Sequence, residues 1–129
     1  MVLDTSVLAA IAFLEPERRE FIEKMNGASR LLLSAVSYVE IGAALLRRGP
    51  AKVDRAFEGF IERAGIVIVP VDEAQALVAR EAYRQFGKGL GHRAGLNFGD
   101  CFSYALAIRT GDALLFKGDD FIWTDVRKA

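Results

Sequence analysis

The 129-residue chain reads as a single α/β domain spanning residues 1–129. The expected architecture is a three-layer α/β/α sandwich on a short, mostly parallel central sheet of four to five strands. Three observations predict it. Short apolar runs alternate with longer stretches whose apolar positions recur every three or four residues, the pattern of strands covered on both faces by crossover helices. Apolar residues make up 52% of the chain, which at this length supports one core and not two. No internal repeat, low-complexity tract or linker divides it.

The elements follow in order. "MVL" is the first strand, and Ser6 to Ala12 opens a helix of small residues. "EPERREFIEKMNG" is helical and "RLLLS" is the second strand. In "SAVSYVEIGAALLRRG" the pair Ser37 and Glu40 has capping-box spacing, but the apolar run ends at Ser34. That makes Ser34 the better N-cap and puts Glu40 well inside the helix. "AKVDRAFEGFIERAG" aligns Val53, Phe57, Phe60, Ile61 and Ala64 on one stripe. "GIVIVP" is the third strand, and "VDEAQALVAREAYRQFG" the next helix. "DCFSYALAIRTG" is apolar nearly all round and so reads as a central helix. "DALLF" is the fourth strand and "FIWTDV" the candidate fifth. Gly27, Gly49, Gly65, Gly87 and Gly111 are expected just beyond helix ends.

Composition removes several function classes. Charge balances at 17 basic and 17 acidic residues, against a domain whose whole surface binds nucleic acid, though a basic rim around an acidic site would cancel in that sum. No apolar run nears the ~20 residues of a membrane span, and no secretory leader pattern opens the chain. One cysteine and one histidine cannot build a disulfide framework or a multi-cysteine zinc site. Cys101 reads as a buried core thiol. A reducing cytoplasm is the expected compartment. The high apolar content also favours cover by a partner or a second copy.

Ligands of open parallel sheets bind beyond the carboxyl ends of the strands, and acids gather there. Asp4 follows the first strand, Glu40 lies in the helix after the second, and Asp100 begins the helix after "GLNFG". Asp119 and Asp120 follow the fourth strand. Singly, Asp4 and Asp100 read as helix caps or first-turn acids, and "GDD" as a solvated turn. Glu40 resists such a reading, because Val36, Ser37, Ala43 and Ala44 surround it on its helix and an unpaired acid buried there is costly. Together they are acids converging on one edge. Two carboxylates ~5 Å apart repel by ~3 kcal/mol at an effective dielectric of ~20, so such a group raises its own pKa values unless a cation neutralises it. Carboxylates are hard oxygen donors that select Mg²⁺ or Mn²⁺ over zinc.

"GKGLGHRAGLNFGD" lacks the order of a P-loop and the strand–turn–helix setting of a dinucleotide fingerprint. It reads either as a plain connection or as a mobile substrate lip bearing Lys88, His92 and Arg93. Arg80, Arg84 and Lys88 form a stripe leading toward it, where phosphates would need cationic contacts.

"VLDTSVLAA", "SAVSYVEIGAAL", "GLNFGDCFSYALA" and "LLFKGDDF…TDV", in this order and spacing, resemble the PIN domain ribonucleases, specifically the VapC-type toxins of bacterial toxin–antitoxin (VapBC) pairs. The resemblance covers Met1 to about Val126. It implies an endoribonuclease dependent on Mg²⁺ (or Mn²⁺) that hydrolyses RNA phosphodiester bonds and is held in check by a small VapB-like antitoxin, commonly as a homodimer. It carries the family's acidic quartet onto Asp4, Glu40, Asp100 and one of the terminal pair. Similar chains read "GxDF" there, which selects Asp120 over Asp119. Asp4 and Asp100 would hold the metal, with Glu40 and Asp120 further out. Thr5 or Ser6 would pair with the first acid, and Asn97 would lie close to the third. Lys88, His92 and Arg93 are the candidates for RNA backbone contacts.

Two rival readings remain. A phosphatase of the haloacid-dehalogenase kind, with Asp4 as phospho-acceptor, requires an acid where Ser6 stands, and a receiver domain requires an adjacent acidic pair before its acceptor strand, which is missing. A PIN-like module that binds RNA or protein without cutting would not require all four acids.

Overall fold

β1 (Val2–Leu3) is only two residues long, yet it pairs with a strand on each side. The computed structural model describes residues 1–129, the side chain of Ala51 excepted. β1 leads into α1 (Thr5–Ala12) and α2 (Arg18–Asn26), then β2 (Leu31–Ser34), α3 (Ala35–Arg48), α4 (Ala51–Arg63), β3 (Ile66–Val69), α5 (Glu73–Phe86), α6 (Phe98–Thr110) and β4 (Leu114–Leu115). The sheet is parallel throughout, in the order β3-β2-β1-β4. Val2 pairs with Leu32 on one side and Leu114 on the other.

Strand side chains alternate between two faces, and the core divides accordingly. Val2, Leu32 and Leu114 pack with α5 and α6, including Ala79, Ala82, Leu106 and Tyr104. Leu3, Leu31, Leu33, Ile66 and Leu115 pack with α1 to α4 through Leu8, Phe21, Ile41, Leu45 and Phe57. These are the three layers expected. β3 departs from a fully covered strand: it is an edge, and Val67 stays exposed.

α6 is the central helix, with Cys101 and the run Ser103 to Ala107 buried. Its small residues let α3 approach closely, and the buried hydroxyls of Ser37 and Ser103 meet at 3.1 Å. Ser34 caps α3, accepting the Val36 N–H.

One expectation is corrected. "FIWTDV" is not a strand. Ile122 N–H donates to Asp119 O, and Thr124 N–H to Phe121 O, so the segment turns. The turn drives Phe121 into the core against Phe116, with ring centroids 5.1 Å apart. The open edge of β4 is met by the chain end instead, through Leu114 N to Arg127 O and Ala129 N to Leu114 O. The five glycines expected just beyond helix ends all stand there; of them, Gly65 (φ 64°) and Gly111 (φ 70°) adopt the left-handed conformation that favours glycine. Gly27, Gly49 and Gly87 keep negative φ.

Candidate active site

Each acid at the sheet edge is held by its own local chemistry. Asp4 is buried and caps α1. Its Oδ2 accepts the Ser6 N–H at 2.9 Å and the Ser6 hydroxyl at 2.6 Å. Ser6 Oγ in turn accepts the backbone N–H of Lys117 at 3.0 Å, which stitches the β1–α1 turn to the segment after β4. The Lys117 ammonium reaches away to Glu15 (2.6 Å) and Glu17 (3.1 Å) before α2.

Asp100 stands at the third position of α6, not at its cap. Asn97 is the cap, and the two form a reciprocal capping box: Asp100 N–H donates to Asn97 Oδ1 at 2.9 Å, and Asn97 N–H donates to Asp100 Oδ2 at 2.8 Å. Glu40, from the second turn of α3, accepts the Thr5 hydroxyl at 2.9 Å. It lies so close to Gly99 that a Cβ there would stand 2.8 Å from the Glu40 Cδ and Oε1. Glycine at 99 is what lets α6 pass the Glu40 carboxylate. The two hydroxyls therefore divide their work, Ser6 on Asp4 and Thr5 on Glu40.

The neighbouring acids act on Asp100. Burial pushes the Asp100 carboxyl up to about 7, and the charges of Asp4, Asp120 and Glu40 add to it against the opposing Asn97 N–H bond. Of the terminal pair, Asp120 is the one whose charge reaches Asp100; both are exposed. Among the described residues no Lys, Arg or His forms an ion pair with Asp4, Glu40, Asp100, Asp119 or Asp120. The cluster is an uncompensated patch of negative charge at the end of a buried sheet.

That donor set fits a hard cation. Asp4 Oδ1 and Asp100 Oδ1 accept no hydrogen bond from the described residues, so each acid is anchored through one oxygen and free at the other. No three metal-ligating side chains among the described residues close into a cage by themselves. Mg²⁺ does not require one, since it takes one or two carboxylates and keeps several waters. Cys101 is no nucleophile: burial, then the Asp100 charge, push its thiol up to about 11, and Sγ faces Asn97 O.

The glycine-rich loop is pinned more firmly than a mobile lip. Lys88 N–H donates to Leu96 O and Leu96 N–H to Phe86 O, both at 2.9 Å. His92 Nδ1 accepts the Ala94 N–H and its ring meets Phe86 edge-on, so its apolar body serves the loop. Lys88, His92 and Arg93 are all exposed. Arg84 is drawn to Glu81 at 3.2 Å. A cleft of about 620 Å³ opens beside Glu40, lined by Val36, Val39, Val71, Asn97 and Phe98. Sequence reasoning passed over two features here. The Lys117 backbone bond to Ser6 leaves no mark in residue type, and the exposure of Val39 and Phe98 was not singled out within their helices.

A parallel sheet whose carboxyl edge gathers Asp4, Glu40, Asp100 and Asp120, with no basic partner among the described residues, defines a class of α/β protein with an acidic site at the strand ends. The PIN domain family profile matches residues 1–126, and the chain belongs to that family. Ribonuclease VapC28 of Mycobacterium tuberculosis is 46% identical over 129 residues, all of this chain and 97% of that protein. Among solved structures, M. tuberculosis VapC20, described as a sarcin–ricin loop cleaving toxin, superposes with a TM-score of 0.75 at 16% identity, covering 99% of this chain and 97% of that one. A toxin–antitoxin complex from Klebsiella pneumoniae superposes with a TM-score of 0.69 at 15% identity, covering 93% and 88%. Among the described residues no helix is long and apolar enough to cross a membrane.

Proposed function

We propose that this chain is a metal-dependent endoribonuclease and the toxin of a toxin–antitoxin pair. The observation that carries the chemistry is Asp100, a buried acid lifted to about 7 with three further acids acting on it and no basic partner. Names of relatives at 43–46% identity, all VapC ribonucleases, support RNA as the substrate.

Asp4 and Asp100 are the proposed ligands of Mg²⁺ or Mn²⁺, with Glu40 and Asp120 around them. Such an ion supplies a water of lowered pKa and screens the charge of the scissile phosphate. The chain's own part is positioning. Ser6 and Lys117 hold Asp4, the Asn97 capping box holds Asp100, and Thr5 holds Glu40. Asp119 stands beside Asp120 as a supporting charge. Lys88, His92 and Arg93 are proposed to meet the RNA backbone, since a duplex or single strand needs cations where the acids would repel it.

The exposed side chains of Val39 (67%) and Phe98 (70%) flank the cleft beside Glu40. They support burial against a second copy, to be read as a monomer–dimer equilibrium by sedimentation. An antitoxin partner is supported by a toxin–antitoxin complex among the proteins sharing this fold.

The test is direct. Purified protein freed of antitoxin cleaves RNA with Mg²⁺ or Mn²⁺ and stops with EDTA. Asp4→Asn and Asp100→Asn each abolish cleavage while circular dichroism stays folded. Cleavage that survives both substitutions overturns the metal-site assignment.

A further inference from the structure

Trp123 belongs neither to the core nor to the acidic cluster. It is the chain's single tryptophan, it is 50% exposed, and it packs with neither half of the core. An aromatic of this size left half in water, outside the core, lacks a structural account.

Its position supplies one. The turns Asp119–Ile122 and Phe121–Thr124 each close with an i→i+3 bond. Trp123 stands three residues after Asp120; both are exposed, while Phe121 between them is buried. Across from it, the Arg93 guanidinium lies over the indole, 5.1 Å from the ring centroid. The contact joins the glycine-rich loop to the segment carrying Asp120. Arg93 has no carboxylate partner among the described residues, so its charge is not neutralised.

We propose that Trp123, oriented by Arg93, is a base-stacking platform for an unpaired nucleotide of the RNA next to the scissile phosphate. This rests on the nuclease reading above. Single-stranded RNA is held by stacking its bases on aromatic rings and guanidinium planes beside cationic backbone contacts. A half-open indole with an unneutralised arginine over it, three residues along the chain from Asp120, combines those elements. Stacking tolerates any base, so Trp123 sets affinity and strand state, preferring an unpaired base over a duplex, more than it reads sequence.

Because Trp123 is the only tryptophan, its fluorescence reports the contact itself. The experiment titrates a short single-stranded RNA into the Asp100→Asn protein, and into the unaltered protein in EDTA, so that cleavage does not enter. Quenching of the indole that saturates with binding is expected, and a blunt RNA duplex produces much less. Trp123→Ala weakens single-strand affinity by about 5- to 100-fold, Trp123→Phe restores most of it, and Arg93→Ala both weakens binding and flattens its salt dependence. Affinity within twofold of the parent in Trp123→Ala, or binding without quenching, overturns the proposal even if the protein cleaves RNA normally. Unchanged RNA affinity with a shifted monomer–dimer equilibrium in Trp123→Ala also overturns it, and assigns the ring to a protein contact. Failure of the unaltered protein to cleave any RNA with Mg²⁺ or Mn²⁺ would instead remove the nuclease reading beneath it.

Discussion

The hydroxyls of Ser37 and Ser103 meet at 3.1 Å in the buried contact between α3 and α6. Ser37 lies one turn before Glu40 and Ser103 one turn after Asp100, so this bond ties together the helices that carry two of the proposed site acids. Ser103→Ala leaves the Ser37 hydroxyl buried and unpaired, at a cost of about 1–3 kcal/mol. Removing both hydroxyls costs less than the sum of the single changes. A double-mutant cycle from urea midpoints checks this, and strict additivity would refute the coupling.

Gly99→Ala separates activity from stability. The added Cβ meets the Glu40 carboxylate, the far end of a flexible side chain that can move aside. Alanine also improves helix propensity by up to about 1 kcal/mol. The variant keeps or raises its melting temperature while RNA cleavage falls at least about tenfold, because Glu40 is displaced. Full activity would show that Glu40 can shift without consequence.

The Asp100 carboxyl is raised from 3.8 to about 7. Between those values the folded protein keeps a proton that the unfolded chain has released. Stability therefore falls as pH rises through that window, the loss is complete above about 7, and it is absent below 3.8. At about 1.4 kcal/mol per pKa unit the total is about 4 kcal/mol. Asp100→Asn consequently raises the melting temperature of the metal-free protein at pH 8 and leaves it near the parent's at pH 4. Equal shifts at both pH values would contradict this. The same proton must leave before a cation binds, so calorimetry should find Mn²⁺ affinity about tenfold weaker at pH 6 than at pH 8.

Ser6 and Lys117 touch through the Lys117 backbone, not its side chain. Ser6→Ala strips a donor from Asp4 and an acceptor from the Lys117 N–H, costing about 1–2 kcal/mol and lowering cleavage. Lys117→Met keeps that N–H and loses only the solvent-screened pairs with Glu15 and Glu17, so activity stays within about threefold. Cleavage and thermal melts of the two variants distinguish them; a larger loss in Lys117→Met would assign the side chain a role of its own.

Periodicity and cap chemistry are local, which is why most elements could be read directly. "LLLS" followed by "AVSYVE" yields a strand, the Ser34 cap and an interior Glu40 without tertiary information. "FIWTDV" misled for the converse reason. Its apolar pattern has the composition of a strand, but whether Phe121 extends along β4 or turns inward depends on where Phe116 leaves room. The acids were recognisable as residues after strands, whereas Asp100 was expected to open its helix and instead stands inside an Asn97 cap.

By itself the sequence determined the parallel sandwich, the sheet edge at which the acids gather, and the carboxylate chemistry on which the proposed cation site rests. These follow from spacing and residue type, which act over a few neighbours. Only the tertiary structure decided which hydroxyl serves which acid, why residue 99 is glycine, how the Lys117 backbone anchors Ser6, and that Trp123 stands open beneath Arg93. Each joins segments far apart in the chain. Their energies come from close packing and low dielectric at contacts that exist only once the sheet and its helices have closed.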